Sequence, residues 1–447
     1  MECESELILT VPRDELGGAA IEFLRYSGGT AYSCRFVESL QDRLAGTEAA
    51  KVLDNGPVAY HLFRVPMGSE HDVAEKLRRS FDGKGPQRGR ILAAEVNHPM
   101  QLAQHPWPDF SLGGQHASYL QMMHVAEAHK NTVTGAKRTI AIIDSGIEPA
   151  HAIHTQEMID AMQNPVQRHA PLMDNDGHGT AMALLAHAVA PNAQIYSVRI
   201  CDKGNGVSVY GVMAGIFVGA IDCAADVLNL SLGFKAIRKC GVCGASGAVR
   251  SFALETAMGI AQQARSGGGQ QGFLYVAAAG NDGLSTGLDH PARYACVVPV
   301  GSVDSAGNRS DFSNFDRANL HANHIMAPGG QISGSAVTED VGRWQSTQRQ
   351  CHGTSGATAY ASAMLALLWS DSRYVALDSK AFLAVVKTSH CTLQLGQRTD
   401  EHGSGLIHYN PPLLAAGRRA DDSASPTSIE YVADGVYVGD VFLSGSQ

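Results

Sequence analysis

The chain has 447 residues, of which 44% are hydrophobic and 17% charged, with a formal net charge of -9. Such a composition describes a folded globular protein with ample core, and at about 150 residues per domain it leaves room for two or three. The acidic balance offers no footprint for nucleic acid, and no run approaches the roughly 20 apolar residues needed to cross a bilayer; neither is an expected partner.

The first residues, MECESELILTVP, are acidic and lack the basic start and apolar core of a secretion signal. Nine cysteines, an odd number scattered along the chain, do not form a disulfide framework, and the expected compartment is the cytoplasm. Residues 1 to about 110 read as a small α/β module: strands at 6–11, 58–65 and 91–96, and a helical pattern over 70–81 in which Val73, Leu77 and Phe81 recur every fourth residue. The stretch 97–114, rich in Pro, His, Gln and Gly, is the best linker in the chain. From 115 to 416 short apolar strands at 139–143, 194–200, 227–230 and 273–278 alternate with longer helical stretches. That alternation predicts an α/β fold with a mostly parallel central sheet covered on both faces by helices. Chemistry in such sheets gathers at the carboxyl ends of the strands. Residues 417–447 are polar and read as a tail or a small hairpin.

Four segments carry candidate chemistry. TIAIIDSGIEPAH is an apolar strand ending at Asp144; in DNDGHGTAMALLAHAVAP, His178 opens a helix between two glycines. FLYVAAAGNDG delivers Asn281 into a Gly-flanked turn, and in CHGTSGATAYASAMLALLW Ser355 begins a long apolar helix. A serine hydroxyl is a poor nucleophile until an imidazole removes its proton, and the imidazole needs a carboxylate to fix its tautomer and stabilise its charged form. A helix N-terminus favours developing negative charge, so the Ser355 amide and the Asn281 side chain could hold an oxyanion together. Singly, each of these residues reads as an ordinary turn or cap residue. Their joint order is what points to catalysis.

That order resembles the subtilisin-like serine proteases. DSG at Asp144, HGT at His178, NLSLG ending at Gly233, AAAGN ending at Asn281 and GTSGAT around Ser355 look like the motifs of that family in the same sequence, over about 300 residues. The resemblance implies a three-layer fold with about seven parallel strands, and a serine endopeptidase acting on peptide or protein substrates through an acyl-enzyme. It implies that Ser231, Leu232 and Gly233 pair with the substrate backbone and shape the first specificity pocket, with Ala279 and Gly280 beside them. Asp282 either lines that pocket and prefers a basic residue or is a solvated surface acid. Gly356 and Ala359 stand where the family usually has Met and Pro, and Met182 and the two leucines 184 and 185 fill the His178 helix; none of these touches a reacting atom. The loop from His187 to Pro191 is too short for the calcium that many relatives hold there, so neither metal nor cofactor is expected.

The N-terminal module has two readings: an inhibitory propeptide, as the family commonly carries, cut off at 97–114, or a permanent adaptor. Cys240 and Cys243 read as half a zinc site or a redox pair or, more simply, as two reduced loop cysteines. A peptide-binding scaffold without activity is the rival to the enzyme, and a fluorophosphonate probe separates them.

Overall fold

Strands that are apolar at every position need cover on both faces, and the large sheet supplies it. Its ten strands run in the order Cys391–Thr392, Leu406–Ile407, Ile325–Pro328, Val297–Val303, Leu274–Ala278, Val227–Leu230, Thr139–Asp144, Gln194–Arg199, Thr155–Asp160, Gln167–Arg168. Only the two outermost strands pair antiparallel; the central ones are parallel, as expected. The computed structural model describes residues 4–13, 35–66, 69–80, 91–97, 99–100, 110–148, 155–164, 166–168, 174–201, 207–235, 237–239, 246–248, 250–266, 271–345 and 349–411. Cys240, Cys243 and the C-terminal segment 412–447 lie outside the described residues.

Successive side chains of a strand point to opposite faces, and the two cores follow that alternation. Ile140, Ile142, Val227 and Val276 meet the helices His178–Val189 and Thr354–Trp369 on one side. Ala141, Ile143, Leu228 and Tyr275 meet Val209–Phe217 and Phe252–Ser266 on the other.

The N-terminal residues form a second, four-stranded antiparallel sheet in the order Arg35–Ser39, Val58–Pro66, Glu4–Pro12, Ala93–Val96. It too is buried on both faces. Leu7, Leu9, Phe63 and Val65 pack with Val73 and Leu77 of the helix Glu70–Ser80. Ile8, Tyr60 and Leu62 point the other way and join the core around Ala253, Leu254 and Tyr210 of the larger body. Each such side chain contributes about 1.5–3 kcal/mol when fully buried, so the contact between the two sheets' layers is a tight one. The linker stretch is not free of structure. Pro99–Met100 pairs antiparallel with Val207–Ser208, and Phe110–Leu112 pairs antiparallel with Gly342–Trp344.

Candidate active site

Asp144 ends its strand at the carboxyl edge of the sheet, where Arg199 of the neighbouring strand lies beside it in register. Its carboxylate meets the His178 ring at Nδ1, 2.8 and 3.0 Å from the two oxygens, and both residues are fully buried. Ser145 closes the turn: its backbone N–H donates to Asp144 Oδ1 (2.8 Å), and its hydroxyl accepts from the Gly179 N–H (2.9 Å). Glycine at 179 is demanded by the approach of the two segments. A β-carbon there would stand 2.1 Å from Gly146 O and 3.1 Å from Asp144 Cβ.

The His178 helix has no side-chain cap at Gly177 itself. Asp174 does that work, accepting from the N–H groups of Gly177 (2.8 Å) and Thr180 (2.9 Å) and from the Thr180 hydroxyl (2.7 Å). A carboxylate at a helix N-terminus is also favoured by the dipole. His178 is therefore fixed by its helix below and by Asp144 at the ring.

Ser355 lies in the first turn of Thr354–Trp369, the helix packed against the His178 helix. Its Oγ donates to Ser231 O (3.1 Å), and Ser231 Oγ donates back to Ser355 O (2.9 Å). Asn281 lies on the opposite wall: its Oδ1 accepts from Thr354 N–H (2.8 Å) and Thr354 Oγ1 (2.9 Å). Two donors on one atom identify that atom as the oxygen and leave the NH₂ as the group facing away from Thr354.

Ser231 and Leu232 are buried and Gly233 half-buried on one wall; Ala279 and Gly280 are buried on the other. Asp282 is exposed and pairs with Lys235 at 2.8 Å. Three residues escape a sequence reading: Asp174, Thr354 and Asp176. Asp176 stands two positions before His178 and is pushed up to about 6, mainly by burial, with Asp144 and Asp174 adding and His178 opposing. Among the described residues no group of three or more His, Cys, Asp or Glu side chains is placed to hold a metal ion.

Burial disfavours the charged His178 ring, but Asp144 outweighs it, with Asp176 and Asp174 adding, and the imidazole is held above its ordinary 6.5. A general base must be neutral to accept a proton. With His178 as the proposed base, activity should be full at alkaline pH and fall as pH drops through a value above 6.5, and Asp176→Asn should move that limb downward. A profile of kcat/KM against pH checks both; an acid limb below 6.5 in the parent would contradict the assignment.

The description of a subtilase-family peptidase domain matches residues 135–405. The minor extracellular protease Epr of Bacillus subtilis is 29% identical over 315 residues, which is 68% of this chain and 43% of that protein. Subtilisin Savinase of Lederbergia lenta is 30% identical over 296 residues, 63% of this chain and 92% of the relative. The chain thus spans less than half the length of the first and nearly all of the second. The fold of the epidermin leader peptide processing serine protease of Staphylococcus aureus superposes with a TM-score of 0.60 at 18% identity, covering 90% of this chain and 97% of that one. With the family match over 135–405 and this three-layer fold, the chain belongs to the subtilase family of subtilisin-like serine endopeptidases.

Proposed function

We propose that Asp144, His178 and Ser355 act as the triad of this peptidase, with Asn281 as its oxyanion donor and the N-terminal module as its intramolecular inhibitor. Ser355 Oγ attacks the scissile carbonyl while His178 takes its proton, and Asp144 holds the ring through Nδ1. The Asn281 NH₂ and the Ser355 N–H receive the oxyanion, and its collapse passes the proton to the leaving amine. Water then releases the acyl group by the same path in reverse. The observation that carries the catalytic part is the buried Asp144–His178 contact at 2.8 Å beside the Ser355 helix.

The inhibitory reading is supported by how the module holds on. Glu95 accepts from the Ser251 hydroxyl and from the N–H groups of Phe252 (2.9 Å) and Ala253 (3.3 Å), so its carboxylate caps the helix Phe252–Ser266. Asn97 accepts from Tyr210 N–H (3.0 Å). Directly after these anchors, Pro99–Met100 adds as a strand to Val207–Ser208, which follows the carboxyl edge of the sheet; this is how an extended peptide binds.

In this reading the junction is cut in cis. Freshly purified protein should lose about a quarter of its mass, for about 110 of 447 residues would leave, while Ser355→Ala stays full length. The separate module, added back, should inhibit the mature enzyme, and Glu95→Ala should weaken that inhibition about tenfold or more. Intact mass spectrometry and inhibition titrations decide. An uncut chain with full activity, indifferent to added module, is what the adaptor reading expects.

A further inference from the structure

The two walls of the cleft are fastened at one end to the start of the Ser355 helix. Ser355 Oγ donates to Ser231 O (3.1 Å) on one wall, and Asn281 Oδ1 accepts from Thr354 N–H (2.8 Å) on the other. At the far end one short segment ties them together. Asp289 N–H donates to Ala279 O (2.9 Å), and His290 exchanges two backbone hydrogen bonds with Phe234 (2.9 and 3.0 Å). The gap between the walls therefore begins at the nucleophile and ends at Asp289.

The Asp289 carboxylate is wedged between both walls. A β-carbon on Gly280 would stand 2.6 Å from Asp289 Oδ2, and one on Gly233 would stand 3.4 Å from Asp289 Cβ. Gly280 has φ +110°, and only glycine combines that backbone with room for the carboxylate. Asp289 is 9% exposed. Lys235 beside this wall is exposed, pairs with Asp282 and is held protonated by Asp282 and then Asp289. Exposed pairs of this kind contribute little.

A second, independent group lies on the imidazole side. Asp176 is 7% exposed, and its Oδ1 has no hydrogen-bond partner. Asp174, by contrast, spends both oxygens on the helix cap. A buried carboxylate oxygen left without a donor is costly unless a ligand supplies one.

We propose that Asp289 is the specificity carboxylate of this enzyme, receiving the cation of the lysine or arginine whose carbonyl Ser355 attacks, and that Asp176 favours a second basic residue in the flanking subsite. The proposal rests on the peptidase reading above. It also bears on the module: the sequence contains neither Lys nor Arg from 91 through 129, so a cut in cis within that stretch relies on enforced proximity to Ser355 rather than on the preferred side chain.

The test is cleavage-site profiling of the purified full chain on a peptide library, with active sites titrated by a fluorophosphonate probe. The parent should cut after Lys or Arg. Asp289→Asn should lower the ratio of kcat/KM for an Arg over a Leu substrate about 10- to 100-fold, the range for losing a hydrogen bond to a charged group. Asp176→Asn should flatten a basic preference at the flanking position, and an unchanged melting temperature verifies that both variants are folded. A labelled parent that cuts after apolar or acidic residues overturns the proposal alone. A parent that takes no label fails the peptidase reading and the proposal with it.

Discussion

Ser355→Ala should fold as the parent does and lose about 10⁶-fold in kcat, the size of effect seen when subtilisin loses its nucleophile. In the proposed mechanism Oγ forms the bond to the substrate carbonyl, so its removal takes away the nucleophile. The structural cost is small. The hydroxyl makes one hydrogen bond, to Ser231 O at 3.1 Å, from a half-buried position. Losing it costs about 0.5–1.5 kcal/mol, partly offset because alanine is the better helix former. The reciprocal bond from Ser231 Oγ to the Ser355 backbone carbonyl remains. Burst kinetics on an ester substrate together with a thermal melt measure both halves. Parent-like turnover in the folded variant would remove Ser355 from the mechanism.

The large sheet was legible because a strand buried on both faces must be apolar throughout, and residues 139–143, 227–230 and 273–278 are written that way. Their register was not legible: whether Arg199 lies beside Asp144 depends on pairing between distant segments. In the N-terminal sheet the expected strands and the helix over 70–81 match Glu4–Pro12, Val58–Pro66, Ala93–Val96 and Glu70–Ser80 within a few residues. Arg35–Ser39 and the short helices Leu40–Arg43 and Glu48–Asp54 went unread. A local signal was present. Ser39 and Asp42 form a reciprocal capping box, and the Thr47 hydroxyl caps the second helix, patterns that precede too little apolar periodicity to stand out.

The site divides in the same manner. Asp144, His178, Asn281 and Ser355 announce themselves because close approach of segments forces glycines around them, as at Gly179 and at Gly353, where a β-carbon would stand 3.4 Å from the Asn281 amide. Asp289 carries no such mark. Beside Asn281 the eye falls on Asp282, yet Asp282 is exposed and bound to Lys235, whereas the later carboxylate is carried under Gly280 by the turn that joins Ala279 to Asp289. Asp174 likewise reads as a loop acid until its two oxygens are found on Gly177 and Thr180.

Asn281→Ala should lower kcat about 100- to 1000-fold with little change in KM, the loss known for the equivalent donor in subtilisin itself. The split follows from geometry. Asn281 is exposed, and its NH₂ faces away from Thr354, which grips the other end of the amide through its N–H and hydroxyl at 2.8 and 2.9 Å. Such a brace holds the donor ready before substrate arrives, so no reorganisation is needed when charge develops on the carbonyl oxygen. A neutral carbonyl gains little from the donor; the oxyanion gains much. Asn281→Asp should be at least as damaging as Asn281→Ala. Its carboxylate can still accept from Thr354 but offers no donor, and it sets a negative charge against the oxyanion. Steady-state kinetics on one peptide substrate across the three proteins test this directly. A rise in KM with kcat preserved would place Asn281 in ground-state binding and move the oxyanion site elsewhere.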